Sequence, residues 1–354
     1  MGNALGPNNK SSQESSEPDK VEVPYREEPL DESTAKDGLV LKGTTVPRPH
    51  EYEPHVAKQY RPLQKHPELF DVKTGWREEW FDPDFLEALR TNSEKAWTSI
   101  ITEHLPGAVF SCKMFSDLFC NMLVEEVDNF GTTGLPARRP NSMNNYGIIL
   151  NEIGWRPMVD ILQDRVLAKI AALQWPHISP FDGHHTFIVR YKEGEDLGLD
   201  MHTDASDVTF NLCLGKEFTG AGLCFCGVMG SPEHRKHHYT FKHEVGRCVW
   251  HLGRQRHGAD DIQSGERLNL IIWNQSTAYK QTAEYKQPQY RKEDGPPDAI
   301  CLSYTHDRDY GVFKSYNAKS EDFQGRGWCP RRGYEYDGFE PEQEPAWGYH
   351  TRAG

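Results

Sequence analysis

The stretch LDMHTDASDVTFNL, residues 199–212, sets a histidine and an aspartate one residue apart and then alternates apolar with polar side chains. On an extended backbone, residues i and i+2 share a face. His202 and Asp204 would then present an imidazole and a carboxylate side by side. Two ligands hold a transition metal poorly, and a lone pair of this kind is more often a surface hairpin feature. A metal site needs a third donor elsewhere.

The surrounding sequence repeats with a period of two. HTFIVRY (185–191), VTFNLCL (208–214), GLCFCG (222–227), HYTFKH (238–243), RCVWHL (247–252) and RLNLIIWNQ (267–275) are short, rich in β-branched and aromatic residues, and bounded by turn formers. Such strands predict an antiparallel sandwich, barrel or jelly roll. Upstream the period is helical. A helix opens at Asp82-Pro83 and runs through Phe85, Leu86, Leu89 and Trp97. A second follows Ser116, with Phe119, Met122, Leu123, Val127 and Phe130 on one face, and a third carries Val159, Leu162, Val166, Ile170 and Leu173 up to Trp175-Pro176. The expected fold is mostly β with flanking helices.

The chain has 354 residues, 36% of them hydrophobic, and no apolar run long enough to span a membrane. Its first twenty residues lack a secretory signal, which predicts an intracellular protein, cytoplasmic or nuclear. The net charge of −13 argues against nucleic acid as a default partner. Eight cysteines at irregular spacing read as reduced thiols, and Cys224 and Cys226 as packing residues. Residues 1–45 read as a disordered acidic and polar tail. Gly2 is placed for myristoylation, although Gly6 stands where Ser or Thr is preferred. The remaining segments are a helical support region (46–176), a β core (177–280) and an irregular, aromatic-rich extension (281–354).

The missing donor stands in CVWHLGRQRHGADDIQSGERLNLIIW, residues 248–273. His257 comes soon after one strand, a turn-rich segment follows, and Arg267 opens the next strand. A hairpin of this kind would bring both to one end of the sheet. His202, Asp204 and His257 in that order make a two-histidine, one-carboxylate facial triad, which suits Fe(II) and leaves three positions open. A 2-oxo acid can take two and dioxygen the third. The distal carboxylate of a diacid then needs a planar, permanently charged partner, and Arg267 supplies a guanidinium.

From about Asn141 to Ser276 the chain resembles the 2-oxoglutarate- and Fe(II)-dependent dioxygenases of the prolyl 4-hydroxylase/lysyl hydroxylase type, and within them the eukaryotic 2-oxoglutarate and iron-dependent oxygenase domain-containing proteins. The matching stretches are RPNSMNNYGIILNE, RYKEGEDLGLDMHTDASDVTFNLCLGKEF and RHGADDIQSGERLNLIIW. The resemblance implies a double-stranded β-helix (jelly-roll) core with helices packed on one side. It implies iron at His202, Asp204 and His257, and 2-oxoglutarate held by Arg267. It also places Tyr191 near the co-substrate and Trp273 on the pocket wall; the residues alone read Tyr191 equally as a core aromatic and Trp273 rather as simple packing. A protein or peptide Pro or Lys side chain as substrate, succinate and CO2 as co-products, and an ascorbate requirement are implied in the same way.

Other features have plainer readings. EHRKHHYTFKHE (233–244), with His234, His237, His238 and His243, reads as a solvated loop, and Asp260 and Asp261 as solvated turn residues. NSMNNY (141–146) is either a substrate-side loop or simple turn chemistry. Asn211 serves the sheet. Two rival functions are a jelly-roll binding module without catalysis and a zinc hydrolase on the same ligands; the second leaves Arg267 unexplained.

Overall fold

The computed structural model describes residues 39–46, 48, 54–286 and 301. Gly2, most of the tail expected over 1–45 and most of the extension from 281 onward lie outside the described residues. Among the described residues no helix is long and apolar enough to cross a membrane.

Six helices precede the strand-rich half: α1 (His55–Tyr60), α2 (Pro83–Thr91), α3 (Glu94–Ile100), α4 (Asp117–Thr132), α5 (Arg156–Leu162) and α6 (Ala168–Gln174). The single helix expected over Pro83 to Trp97 is two. Asn92 takes a left-handed conformation, its N–H donating to Ala88 O, and Ser93 caps the next helix by accepting from the Ala96 N–H. Asn tolerates that conformation as few residues do, and an N-cap serine restarts the helix at once. The third expected helix is α5 and α6 joined by a π turn over Gln163–Leu167.

The strands are β1 (Thr102–Leu105), β2 (Val109–Lys113), β3 (Gly147–Ile149), β4 (Gly183–Lys192), β5 (Leu199–His202), β6 (Val208–Gly215), β7 (Phe218–Gly220), β8 (Leu223–Val228), β9 (His237–Phe241), β10 (Arg247–Leu252), β11 (Gln255–Ala259) and β12 (Ile262–Gln275). They form two antiparallel sheets. The major one runs β1-β2-β10-β6-β12-β4-β3, with β7 against β12, and the minor one β5-β11-β8-β9. Every expected strand is present. Of the segment 233–244, read also as a solvated loop, residues His237–Phe241 form β9, His234 is buried and His243 is half-buried.

Period two sorts the side chains of the major sheet. Phe110, Ile188, Phe210, Leu212, Trp250, Leu268, Leu270 and Ile272 point to the helices and join one large core. The alternate residues Val109, Phe187, Val189, Tyr191, Val249 and Ile271 meet Leu223, Phe225 and Ala259 of the minor sheet in a second core. Helices thus cover one face, and the two sheets pack on each other as in a jelly roll. Behind the minor sheet Met201, Cys224, Cys226 and Cys301 form a small buried cluster. That agrees with the packing role expected for Cys224 and Cys226.

Several histidines that are buried or half-buried are held below their ordinary pKa. For His184 burial is the main cause, opposed by its hydrogen bond to Asp160, and for His185 burial again dominates. For His243 burial acts together with the Arg267 charge. The unfolded chain takes protons on such rings near pH ~6.5 while the native state refuses them, so stability is lost as pH falls below that value. We expect the unfolding free energy of metal-free protein to drop between about pH 7.5 and about pH 5, by up to roughly 1.4 kcal/mol per group per pH unit, and the melting temperature to fall with it. A flat profile in calorimetry would mean that the rings protonate in place.

Candidate metal centre

Strands β5 and β11 pair antiparallel with His202 directly opposite His257. Each imidazole is anchored in the same way. His202 Nδ1 lies 2.7 Å from Asp200 O, and His257 Nδ1 lies 2.9 Å from Gln255 O. A carbonyl can only accept, so each Nδ1 carries the proton and each Nε2 keeps a lone pair. Asp204 follows β5, its Oδ1 3.3 Å from His202 Nε2 and 3.6 Å from His257 Nε2. Its Oδ2 accepts a 2.6 Å hydrogen bond from Thr209 Oγ1. One donor atom from each of the three residues falls within 4.8 Å of the others, and no other such group exists among the described residues.

The loop that carries Asp204 is fixed by close approach. The Asp204 N–H donates to Gly253 O at 2.8 Å. A Cβ on Gly253 would stand 1.9 Å from Ser206 O, so only glycine lets the turn between β10 and β11 reach this loop.

Burial by itself would raise the Asp204 pKa, but His257 and His202 hold it well below the usual carboxylate range. Burial pushes His257 well below the ordinary imidazole value. Two imidazoles with free lone pairs and one carboxylate oxygen, with no thiolate among them, fit ferrous iron.

A cavity beside the triad lies between the sheets. Arg267 of β12 pairs in register with Tyr191 of β4, and both line this cavity. Arg267 is only 1% exposed. Its guanidinium carbon sits 4.6 Å from the Tyr191 ring centre, and one Nη donates to Ala221 O. Its Nε is buried without a partner, and among the described residues no carboxylate forms an ion pair with it. Burial lowers the Arg267 pKa, with Tyr191 opposing, yet a guanidinium stays charged in proteins. A buried cation with no carboxylate in ion-pair contact, Asp260 acting on it only from a distance, faces the same cavity as three metal-type donors and fits a carboxylate-bearing ligand. Trp273 also lines the cavity, edge-on to Phe187 at 5.0 Å, with its indole N–H unpartnered.

The structure therefore brings together all six residues singled out in the sequence: His202, Asp204, His257, Arg267, Tyr191 and Trp273. The expected route for two of them differs. His257 lies within β11 rather than after a strand, and β11 and β12 belong to different sheets, so His257 and Arg267 meet across the cavity and not along one hairpin. Asp260, expected to be solvated, is half-buried and accepts from the Cys224 thiol. Thr209, Asn211, Asn144 and Gly253 went unassigned in the sequence or were given other roles. For Thr209 and Asn211 a signal existed: they alternate with Phe210 and Leu212, whose apolar side chains claim the helix face.

Residues 56–179 match the OGFOD2-like domain family. The chain is similar to the 2-oxoglutarate and iron-dependent oxygenase domain-containing protein ICU11 of Arabidopsis thaliana, at 35% identity over 68% of this chain and 62% of that one. It is similar to 2-oxoglutarate and iron-dependent oxygenase domain-containing protein 2 of Mus musculus, at 33% over 61% and 64%. Procollagen-lysine,2-oxoglutarate 5-dioxygenase 1 of Homo sapiens is 25% identical over 55% of this chain and 28% of its own length. Among solved structures, a prolyl 4-hydroxylase from Phytophthora capsici covers 53% of this chain and 64% of that one at 16% identity, with a TM-score of 0.38. The chain thus spans about three fifths of the length of the oxygenase relatives it matches. The relatives at 33–35% identity are thus named as 2-oxoglutarate and iron-dependent oxygenases, and this chain is similar to them over about two thirds of its own length.

Thr209→Val keeps the shape of the side chain and removes the hydroxyl that steadies Asp204. We expect Fe(II) or Mn(II) affinity, titrated anaerobically, to fall by roughly 10- to 100-fold, the range for partners of metal ligands. Unchanged affinity would mean that Thr209 only packs.

Proposed function

We propose that this chain is an Fe(II)- and 2-oxoglutarate-dependent dioxygenase that hydroxylates an unactivated C–H bond of a protein or peptide. The observation that carries the proposal is Arg267, a buried cation whose Nε lacks a partner, opening on the same cavity as the His202, Asp204 and His257 donors. A binding module has no use for that combination, and a zinc hydrolase has no use for Arg267.

In this reading His202 Nε2, Asp204 Oδ1 and His257 Nε2 hold the iron, and Arg267 pairs with the distal carboxylate of 2-oxoglutarate. The iron and co-substrate supply the oxidising chemistry, consuming O2 and yielding succinate and CO2. The protein supplies geometry, charge and a dry site. Asp200 O and Gln255 O fix the tautomers of the two histidines, and Thr209 turns the Asp204 carboxylate so that Oδ1 faces them. Phe187, Val189, Leu223 and Ile271 give the cavity apolar walls that limit water. Tyr191 donates from its hydroxyl to the co-substrate, and Trp273 bounds the pocket.

A Pro or Lys side chain is the proposed target, in keeping with a relative whose name specifies procollagen-lysine. Ascorbate is the proposed reductant that restores oxidised iron. We assign residues 177–280 as the catalytic core on a 46–176 support, with 1–45 and 281–354 as flanking segments. A reducing intracellular compartment, cytoplasmic or nuclear, suits Cys112, Cys120, Cys213 and Cys248, which are buried and unbridged. The acidic chain favours protein over nucleic acid as partner.

His202→Ala and His257→Ala should abolish succinate formation from 2-oxoglutarate, and Arg267→Ala should raise the apparent KM for 2-oxoglutarate at least tenfold. Retained turnover in His257→Ala would remove the triad assignment.

A further inference from the structure

The segment Asn141–Tyr146 stands over the cavity and is tied down at several points. The Asn145 N–H donates to Asp196 Oδ2 at 2.7 Å, and the Arg139 Nε to Asn141 O at 3.1 Å. Inside it runs a chain of side-chain amides whose direction can be worked out. Asn141 Oδ1 accepts from the backbone N–H of Met143 at 2.8 Å and of Asn144 at 2.7 Å. Backbone N–H groups only donate, so this amide has a single allowed orientation. Its Nδ2 then faces Asn144, which must present Oδ1, at 2.9 Å. Asn144 Nδ2 is left to donate to the Tyr191 hydroxyl, at 3.2 Å. Asn144 is 1% exposed, so water does not compete for these bonds.

The Tyr191 oxygen is therefore an acceptor for Asn144, and its own proton must go elsewhere. Among the described residues nothing within hydrogen-bonding distance takes it. The Arg267 guanidinium lies over the same ring, and Asn141, Asn144, Tyr191 and Arg267 all line the cavity. A phenol with a spare proton beside a guanidinium makes a two-donor site for one carboxylate.

We infer that Asn141 and Asn144 are positioning residues: the Asx turn at Asn141 sets a one-way hydrogen-bond relay that obliges the Tyr191 hydroxyl to donate into the cavity, next to Arg267, toward the distal carboxylate of the co-substrate. The inference rests on the proposed 2-oxoglutarate dependence and assigns a task to the NSMNNY loop. Asn141→Asp tests the direction of the relay. Aspartate still accepts from the Met143 and Asn144 N–H groups and so keeps the turn, but it cannot donate. Asn144 then turns its amide round, presents Oδ1 to Tyr191, and takes the proton meant for the cavity. Asn144→Ala removes the link outright.

The experiment measures 2-oxoglutarate Kd on full-length protein loaded anaerobically with Fe(II), by calorimetry and by the visible charge-transfer band. Metal Kd and melting temperature serve as controls, and Asn141→Asp carries the test alone should Asn144→Ala fail to fold. Tyr191→Phe should weaken 2-oxoglutarate binding roughly tenfold, the scale of a hydrogen bond to a charged group. Asn141→Asp and Asn144→Ala should weaken it similarly with metal Kd unchanged, yet add less than about twofold in the Tyr191→Phe background. Losses of equal size in both backgrounds would overturn the relay, because wall shape or added charge would then act without Tyr191. An unchanged Kd in Tyr191→Phe would overturn it as well. Wild-type protein that fails to bind 2-oxoglutarate, or Arg267→Ala that binds it normally, would instead bring down the proposed function and the relay with it.

Discussion

The cross-strand pair of His202 and His257 is the constraint on which the rest of the site depends. Two imidazoles 4.2 Å apart between ring centres, their planes tilted by 54°, would repel each other if both were charged. The backbone settles this by giving each Nδ1 proton a carbonyl of its own strand, two residues back. An imidazole with one nitrogen committed in this way has a defined tautomer and a fixed plane. Asp204 needs only one oxygen in front of the pair, and Thr209, whose backbone is fixed by the pairing of β6 with β10 and β12, decides which oxygen that is. The triad is therefore pre-organised without any ion to assemble it, which is the condition under which a metal can be captured at little reorganisation cost.

The second half of the cavity follows another rule. Arg267, Asn269, Ile271 and Trp273 occupy alternate positions of β12 and so share the inward face. Leu268, Leu270 and Ile272 face the helices and anchor the strand in the main core. One fourteen-residue strand thus serves both as the central plank of the major sheet and as a wall of the cavity. Its polar residues can be buried because the apolar ones opposite them hold the backbone where it is. Arg267 and Asn269 are each below 2% exposed, and each retains a buried polar atom without a partner. Such atoms are costly in a folded protein and cluster where a ligand is to be received.

Much of this was legible from residue order. Alternation between residues 185 and 275 gave the strands, and the succession of His202, Asp204, His257 and Arg267 gave the donor set, because each demands a specific side-chain chemistry. The less legible parts are those that depend on partners distant in the chain. β11 is only five residues long and its sequence, QRHGA, has no strand-like alternation; it is a strand because β5 and β8 flank it. Likewise β1 and β2 extend the major sheet from within the helical half of the chain, since β2 finds β10. The break at Asn92 hides in sequence because helical periodicity continues across it. His234 and His243 read as solvated because their neighbours are charged, while the fold buries His234 and half-buries His243.

The sulfur-rich cluster behind the minor sheet carries a consequence for the boundaries of the molecule. Met201 precedes a histidine of the triad by one residue, and its side chain leans the opposite way, onto Cys224, Cys226 and the distant Cys301. The rear of the strand that presents His202 is thus shielded by a residue nearly a hundred positions downstream. A fragment cut at the end of β12 would keep every candidate ligand and lose that shield. The back of the His202 strand would then present the Met201 thioether and the Cys224 and Cys226 thiols on that side.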